Sequence, residues 1–247
     1  NSFVQKNKSQ YANLNANPQT AFIDTMYQVL YNKNPLAPIA VPKTDYYDKI
    51  DLNRSLEIYN ERFSDASGMN FVFVGSFKES EIIPLLEKYI ASLPTTNKKF
   101  KMVDNKVRPI TGKKDMTVYK GKEEQSLILA FYSGEIPYNP SLELKAKAMS
   151  EVLNIRIFEE LREKIQGIYG GGTFISLERY PYSNYNMVLQ LPCGPEKVDT
   201  LIKAVNAEFD KLVKTGPAVS YLDKVKKQWH EEYRTNIKEN GTWLNQL

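Results

Sequence analysis

Leu142, Ala146, Met149, Leu153, Ile157, Leu161 and Ile165 recur at three- and four-residue steps. That spacing lays one apolar stripe along a helix and cannot serve a strand, whose faces alternate at every second residue. Lys145, Lys147, Glu151, Glu159 and Glu163 fall off the stripe and suit a solvated face. Gly167 has helix-stopping character. A run of three glycines, 170–172, then leads into an alternating segment at 173–179. The central pattern is therefore a long amphipathic helix, a glycine break and a strand, and the stripe needs a surface to bury against.

The remaining segments supply that surface. Residues 69–75 form a near-continuous apolar run rich in Val and Phe, the pattern of a buried strand. Residues 115–120 and 125–133 are two further strand candidates, and Leu-Ile-Leu-Ala-Phe-Tyr at 127–132 is apolar enough to lie centrally in a sheet. Residues 173–179 and 185–191 alternate on either side of Pro-Tyr-Ser-Asn, which makes a hairpin turn. Helices are predicted over 20–30, 52–63, 80–93, 196–212 and 220–234. Their inward faces would carry Ile82, Ile83, Leu86, Tyr89 and Ile90, then Val198, Leu201, Ile202, Val205, Phe209 and Leu212, then Leu222, Val225 and Trp229. Pro84 falls in the first turn of its helix, where proline is tolerated. Asn34-Pro35, Ala37-Pro38 and Pro42 break regular structure, and Thr44 or Asp45 caps the helix after them. Residues 95–114 are polar and basic and read as a surface loop with a weak extended piece near 107–110. Helices and strands mix without strict alternation, so the expected class is α+β, with a largely antiparallel sheet and helices packed on one face.

Composition narrows the function by exclusion. The chain has 247 residues, 42% hydrophobic and 25% charged, with a net charge of +4. That bias is too small to argue for nucleic acid or an anionic membrane, and the lysine clusters at 98–101, 113–114 and 224–227 read as solvated faces. No apolar run approaches the ~20 residues needed to span a bilayer. Cys193 is the only cysteine, so neither an intrachain disulfide nor a cysteine zinc cluster is available. His230, the only histidine, lies in Trp-His-Glu-Glu-Tyr-Arg, where Arg234 occupies the place of the second histidine of a zinc-binding helix. Arginine stays protonated and cannot ligate zinc. There is no Gly-x-Ser-x-Gly elbow, and the glycine run precedes a strand, so it is not a phosphate loop. This segment alone is expected to bind no metal and to be no hydrolase.

Arg162 and Tyr169 remain as the functional candidates. Arg162 sits one turn beyond Phe158 at the border of the stripe, and Tyr169 follows seven residues later, past the helix end. The ordinary alternatives are an ion pair of Arg162 with Glu159 or Glu163 and a packing role for Tyr169. Tyr180, Tyr182 and Tyr185 at the hairpin either line a peptide chamber or are common surface tyrosines. The glycine run either admits an extended backbone or marks a bulge, and the bulge is preferred.

Leu-Arg-x-Lys at 161–164, a Tyr seven residues after the Arg and a Gly-rich strand resemble the C-terminal, non-zinc half of the pitrilysin/insulinase-type zinc metallopeptidases, the M16 family. Four further stretches agree in order: Asn-Phe-Val-Phe-Val-Gly-Ser-Phe at 70–77, Ile-Pro-Leu-Leu-Glu-Lys-Tyr-Ile-Ala-Ser-Leu-Pro at 83–94, Ser-Leu-Glu-Arg-Tyr-Pro at 176–181, and Trp243-Leu244. The resemblance covers residues 45–247. It implies that Arg162 and Tyr169 contact a peptide or protein substrate inside a chamber, and that zinc is held by a separate N-terminal half. That half would lie in the same polypeptide or in a partner subunit. It further implies that residues 1–44 are a helix and proline-rich linker from a preceding domain. Residues 45–247 would be one family domain, cut short at its C-terminal end. The full-length protein would be a zinc endopeptidase, and the family's bacterial members point to the periplasm. A non-catalytic partner subunit, or a scaffold module, is the rival expectation.

Overall fold

The computed structural model describes residues 2–99 and 101–246. The chain divides into two compact units. One comprises 1–12, 43–103 and 230–247, the other 13–42 and 104–229.

The second unit holds the sheet. Three strands, β1 (Ser126–Glu135), β2 (Gly172–Glu178) and β3 (Asn184–Cys193), pair antiparallel in the order β1-β3-β2. The predicted hairpin is thus the β2–β3 connection, with Thr173 opposite Leu189 and Leu177 opposite Tyr185. β1 runs against the other side of β3, with Ile128 opposite Leu191. Side chains alternate across such a ladder, so Leu189, Leu191 and Cys193 of β3 share a face with Ile128 and Ala130 of β1.

Two helices supply the other side of this core: α1 (Pro140–Ile157), the helix of the long stripe, and α2 (Val198–Thr215). Ile157, Leu161, Ile168, Leu189, Leu191, Cys193, Leu201 and Val205 form one buried cluster, with Ile165, Val198 and Phe209 packed against it. Ile202 lies on the exposed side of its helix instead. Asn139 caps α1 by accepting the N–H of Leu142, and Pro140 takes the first helical position, where its missing N–H costs nothing. The helix passes at Phe158 into a wider π turn, Phe158–Lys164, before Gly167. The α+β class, with a largely antiparallel sheet and helices on one face, holds.

Three elements of this unit or its borders complete the order: α3 (Pro18–Leu30), capped by Asn17, α4 (Val219–Asn236), and α5 (Ser2–Ala16). In the first unit, α6 (Leu52–Phe63) is capped by Asp51, not by Thr44 or Asp45, which open a short 3-10 turn, Thr44–Lys49. α7 (Glu79–Tyr89) carries Pro84 in its second turn, and α8 (Asn240–Gln246) closes the chain. The loop at 65–69 is tied to 94–96 by Ala66 N–H donating to Pro94 O at 2.9 Å and by Thr96 N–H donating to Ser67 Oγ at 3.1 Å.

Two expected strands do not form. Residues 69–75 and 115–120 have no strand assignment, and Phe71, Val72 and Phe73 are exposed. A strand exists only through a partner that takes its backbone N–H and C=O groups, and among the described residues neither segment meets one. The apolar faces of α6 and α7 consequently stay open, and Ile83 and Tyr89 are exposed. Among the described residues no helix is long and apolar enough to cross a membrane.

Candidate functional site

The π turn, the glycine run and the start of β2 follow one another in the second unit. In the π turn, Arg162 is exposed, and its guanidinium carbon lies 4.5 Å from the centre of the Phe158 ring. Guanidinium over an aromatic face is attractive. Among the described residues Arg162 forms no ion pair. One of the two carboxylates expected to hold it is engaged elsewhere: Glu159 accepts from the Tyr221 hydroxyl at 2.7 Å and from Lys224 Nζ at 3.2 Å. The Tyr221 hydrogen bond, followed by Lys224, lowers the Glu159 carboxyl below its ordinary pKa, and Tyr221 itself is raised by that same bond.

Tyr169 is 78% exposed, so its ring does not staple the helix end. Its backbone is fixed instead: Tyr169 N–H donates to Pro192 O at 3.2 Å, and the preceding Ile168 pairs with Cys193 across the ladder. Gly172 pairs with Gln190. Four steps along one side thus match three along the other, which is a one-residue bulge. Gly171 explains part of the glycine run. It has φ +100°, and a Cβ there would collide with the backbone carbonyl oxygen of Gln190. The close approach is between the chain and itself.

The side chains of α1 hold the edge of β2. Asn154 Nδ2 donates to Thr173 O at 3.0 Å, Thr173 N–H donates to Asn154 Oδ1, and Ser150 Oγ donates to Thr173 O at 2.9 Å. Close by in the same helix Arg156, 7% exposed, is paired with Glu208 of α2, with Nε at 2.7 Å from Oε2. At the far end of the hairpin, the Arg108 guanidinium stacks 3.4 Å over the Tyr182 ring and is gripped by Asp104 at 2.6 and 2.9 Å. Tyr182 is therefore a packed residue, while Tyr180 is exposed. Sequence reasoning missed Asn154, Arg156 and Arg108. Each is a polar residue whose partner lies at least several turns or a whole element away, except for Asp104 four residues before Arg108.

The donor set does not suit zinc. Among the described residues no group of three or more His, Cys, Asp or Glu gathers, and His230 stands alone on a helix face. Cys193 is buried, and burial followed by the charge of Glu196 raises its thiol pKa, which disfavours a thiolate ligand.

The sequence profile of the Peptidase M16 inactive domain matches residues 49–229. The chain belongs to the M16 peptidase family. Two curated relatives carry the same description, probable zinc protease PqqL. The Haemophilus influenzae protein is 20% identical over 189 residues, covering 76% of this chain and 20% of that one. The Escherichia coli protein is 20% identical over 232 residues, covering 92% of this chain and 23% of that one. The crystal structure of the periplasmic protease PqqL from Escherichia coli superposes with a TM-score of 0.82 at 17% identity, over 99% of this chain and 27% of that one. The chain thus spans about a fifth to a quarter of the length of these M16 relatives.

Proposed function

We propose that this M16 inactive-type domain serves a zinc endopeptidase by presenting Arg162 and Tyr169 to the substrate backbone within a peptide-binding chamber. The observation that carries this reading is that both side chains are exposed, seven residues apart on either side of the helix end. Arg162 is free of ion pairs among the described residues, and Tyr169 is anchored only through its backbone. A guanidinium and a phenol hydroxyl are both donors, so they suit the carbonyl oxygens flanking a scissile bond, holding them in line for attack. Donation to an oxygen that gains negative charge is worth a few kcal/mol in a closed site.

In this reading zinc is carried by a separate half of the enzyme, in keeping with the zinc-protease descriptions of the relatives and with the unsuitable donor set here. Residues 1–44 connect to a preceding domain, and 45–247 contribute the family domain. The periplasmic location of the Escherichia coli relative supports the same compartment for this protein.

The test is Arg162→Ala and Tyr169→Phe in the complete enzyme. Loss of one oxyanion-directed donor should lower kcat by about a hundredfold. Unchanged peptide turnover in both variants would remove the assignment.

A further inference from the structure

Glu159 and Arg162 stand three residues apart, the spacing at which a carboxylate and a guanidinium on a helix ordinarily meet. The chain repeats that Glu-x-x-Arg order at 231–234, and there the pair forms, with Arg234 Nη1 3.4 Å from Glu231 Oε1. At 159–162 both oxygens of the carboxylate are taken by α4 instead. Tyr221 donates to Oε2 at 2.7 Å and Lys224 to Oε1 at 3.2 Å. Neither donor is local: they lie 62 and 65 residues further along the chain. The Tyr221 ring is itself held in place. It lies 5.4 Å from the guanidinium of Arg156, which is buried and locked to Glu208, and 5.2 Å from Lys224 Nζ. The hydroxyl therefore reaches Glu159 from a fixed framework, and a hydrogen bond to a carboxylate is of the stronger, charge-assisted kind.

We propose that Tyr221 is a positioning residue for the substrate site: with Lys224 it keeps Glu159 turned away from Arg162, so that the guanidinium stays open to the peptide. The inference rests on the substrate-contact reading above, and it adds the residue that protects that contact from its own neighbour. Without the hydroxyl, Glu159 keeps only Lys224, whose side chain is 58% exposed and whose pull is correspondingly weak. Arg162 then competes for the carboxylate with the better geometry, because a guanidinium meets a carboxylate through two parallel N–H groups and an ammonium acts as a point charge. A guanidinium paired to Glu159 must be released before it can meet a substrate carbonyl. The apparent affinity for peptide therefore falls in proportion to the fraction of molecules in which Arg162 is free. Saturating peptide displaces the pair, which places the effect in KM rather than in kcat.

The experiment measures KM and kcat for an internally quenched fluorescent peptide, cleaved by the full-length enzyme carrying Tyr221→Phe, Glu159→Gln, or both. Tyr221→Phe keeps the ring and removes only the hydroxyl. It is expected to raise KM about fivefold with kcat retained. The double variant is expected to return to the KM of Glu159→Gln alone, because a carboxamide has no charge with which to claim Arg162. Lys224→Met, at an exposed position, should raise KM in the same direction by less and be cured by the same Glu159→Gln. It reads the same mechanism if Tyr221→Phe fails to fold. A rise in KM that persists in the double variant assigns Tyr221 to the fold or to the peptide itself and overturns the proposal. An unchanged KM in both Tyr221→Phe and Lys224→Met shows that the π turn alone keeps Glu159 from Arg162, and overturns it as well. Arg162→Ala separates this inference from the reading beneath it. Impaired turnover in Arg162→Ala with a silent Tyr221→Phe removes the positioning role and leaves the substrate contact standing. Normal turnover in Arg162→Ala removes the contact and the positioning role together.

Discussion

Arg156 of α1 and Glu208 of α2 form an ion pair closed off from water, their side chains 8% and 15% exposed. The pair joins the two helices that cover the sheet. Its guanidinium also lies 5.4 Å from the centre of the Tyr221 ring. Removing one partner leaves the other charged, buried and alone, which costs far more than the pair contributes. Arg156→Ala and Glu208→Ala should each lower stability by about 3 kcal/mol in denaturant unfolding. A double replacement by Met and Leu should recover most of that loss. Additive losses in the double variant would refute the pairing argument.

Asn154 bears a second structural load. Replacement by Leu keeps the volume and strips Thr173 of the carboxamide that holds both its backbone groups on the free side of β2. The expected loss is about 2 kcal/mol. Faster amide exchange at Thr173, relative to Phe174 within the ladder, should accompany it, and unchanged exchange at Thr173 would contradict the assignment.

The glycines at 170 and 171 should respond oppositely to the same substitution. A Cβ on Gly170 meets nothing within 4 Å, whereas one on Gly171 would run into Gln190 O. Gly171→Ala should therefore lower the midpoint of thermal unfolding by an amount matching about 2 kcal/mol or more, with Gly170→Ala close to neutral. Calorimetry of the two variants side by side checks this.

Glu159 should confer a pH dependence of known sign. Its carboxyl is held below the ordinary value of 4.5 by the Tyr221 hydroxyl and Lys224. A carboxyl that is more acidic folded than unfolded stabilises the fold fully above its unfolded pKa, and the contribution disappears as pH falls through the folded value. Glu159→Gln should thus flatten the loss of stability below about pH 4.5 and leave the slope near neutrality unaltered. A steeper acid slope in the variant would show that the sign is wrong.

Much of the second unit was legible in the sequence because local pattern and long-range packing agree there. The C-terminal part of the stripe, Ile157, Leu161 and Ile165, does meet the sheet, whereas Met149 is exposed, and the alternation around 181–184 does form a hairpin. The first unit was read less well. The apolar run at 69–75 has the composition of a buried strand, but composition cannot supply a partner edge. At the candidate site, the spacing of Arg162 and Tyr169 was visible, and so was the proximity of Phe158. The escape of Arg162 from Glu159 was not, because Tyr221 and Lys224, which hold that carboxylate, lie some sixty residues further along the chain. The π turn at Phe158–Lys164 left no sequence signature.

The bulge between Ile168 and Gly172 has a consequence for how this chain tolerates change in length. It resets the alternation of the ladder, so that an even-numbered residue before it, Ile168, and an odd-numbered one after it, Thr173, both point inward, while Tyr169 points out. Substituting an unconstrained glycine leaves that count intact, and deleting it does not. With one residue fewer, the segment can keep β2 in place only by turning Tyr169 into the core and Ile168 into solvent. This short stretch is thus spelled by number before it is spelled by chemistry, and a deletion there should be far more damaging than any single replacement at Gly170.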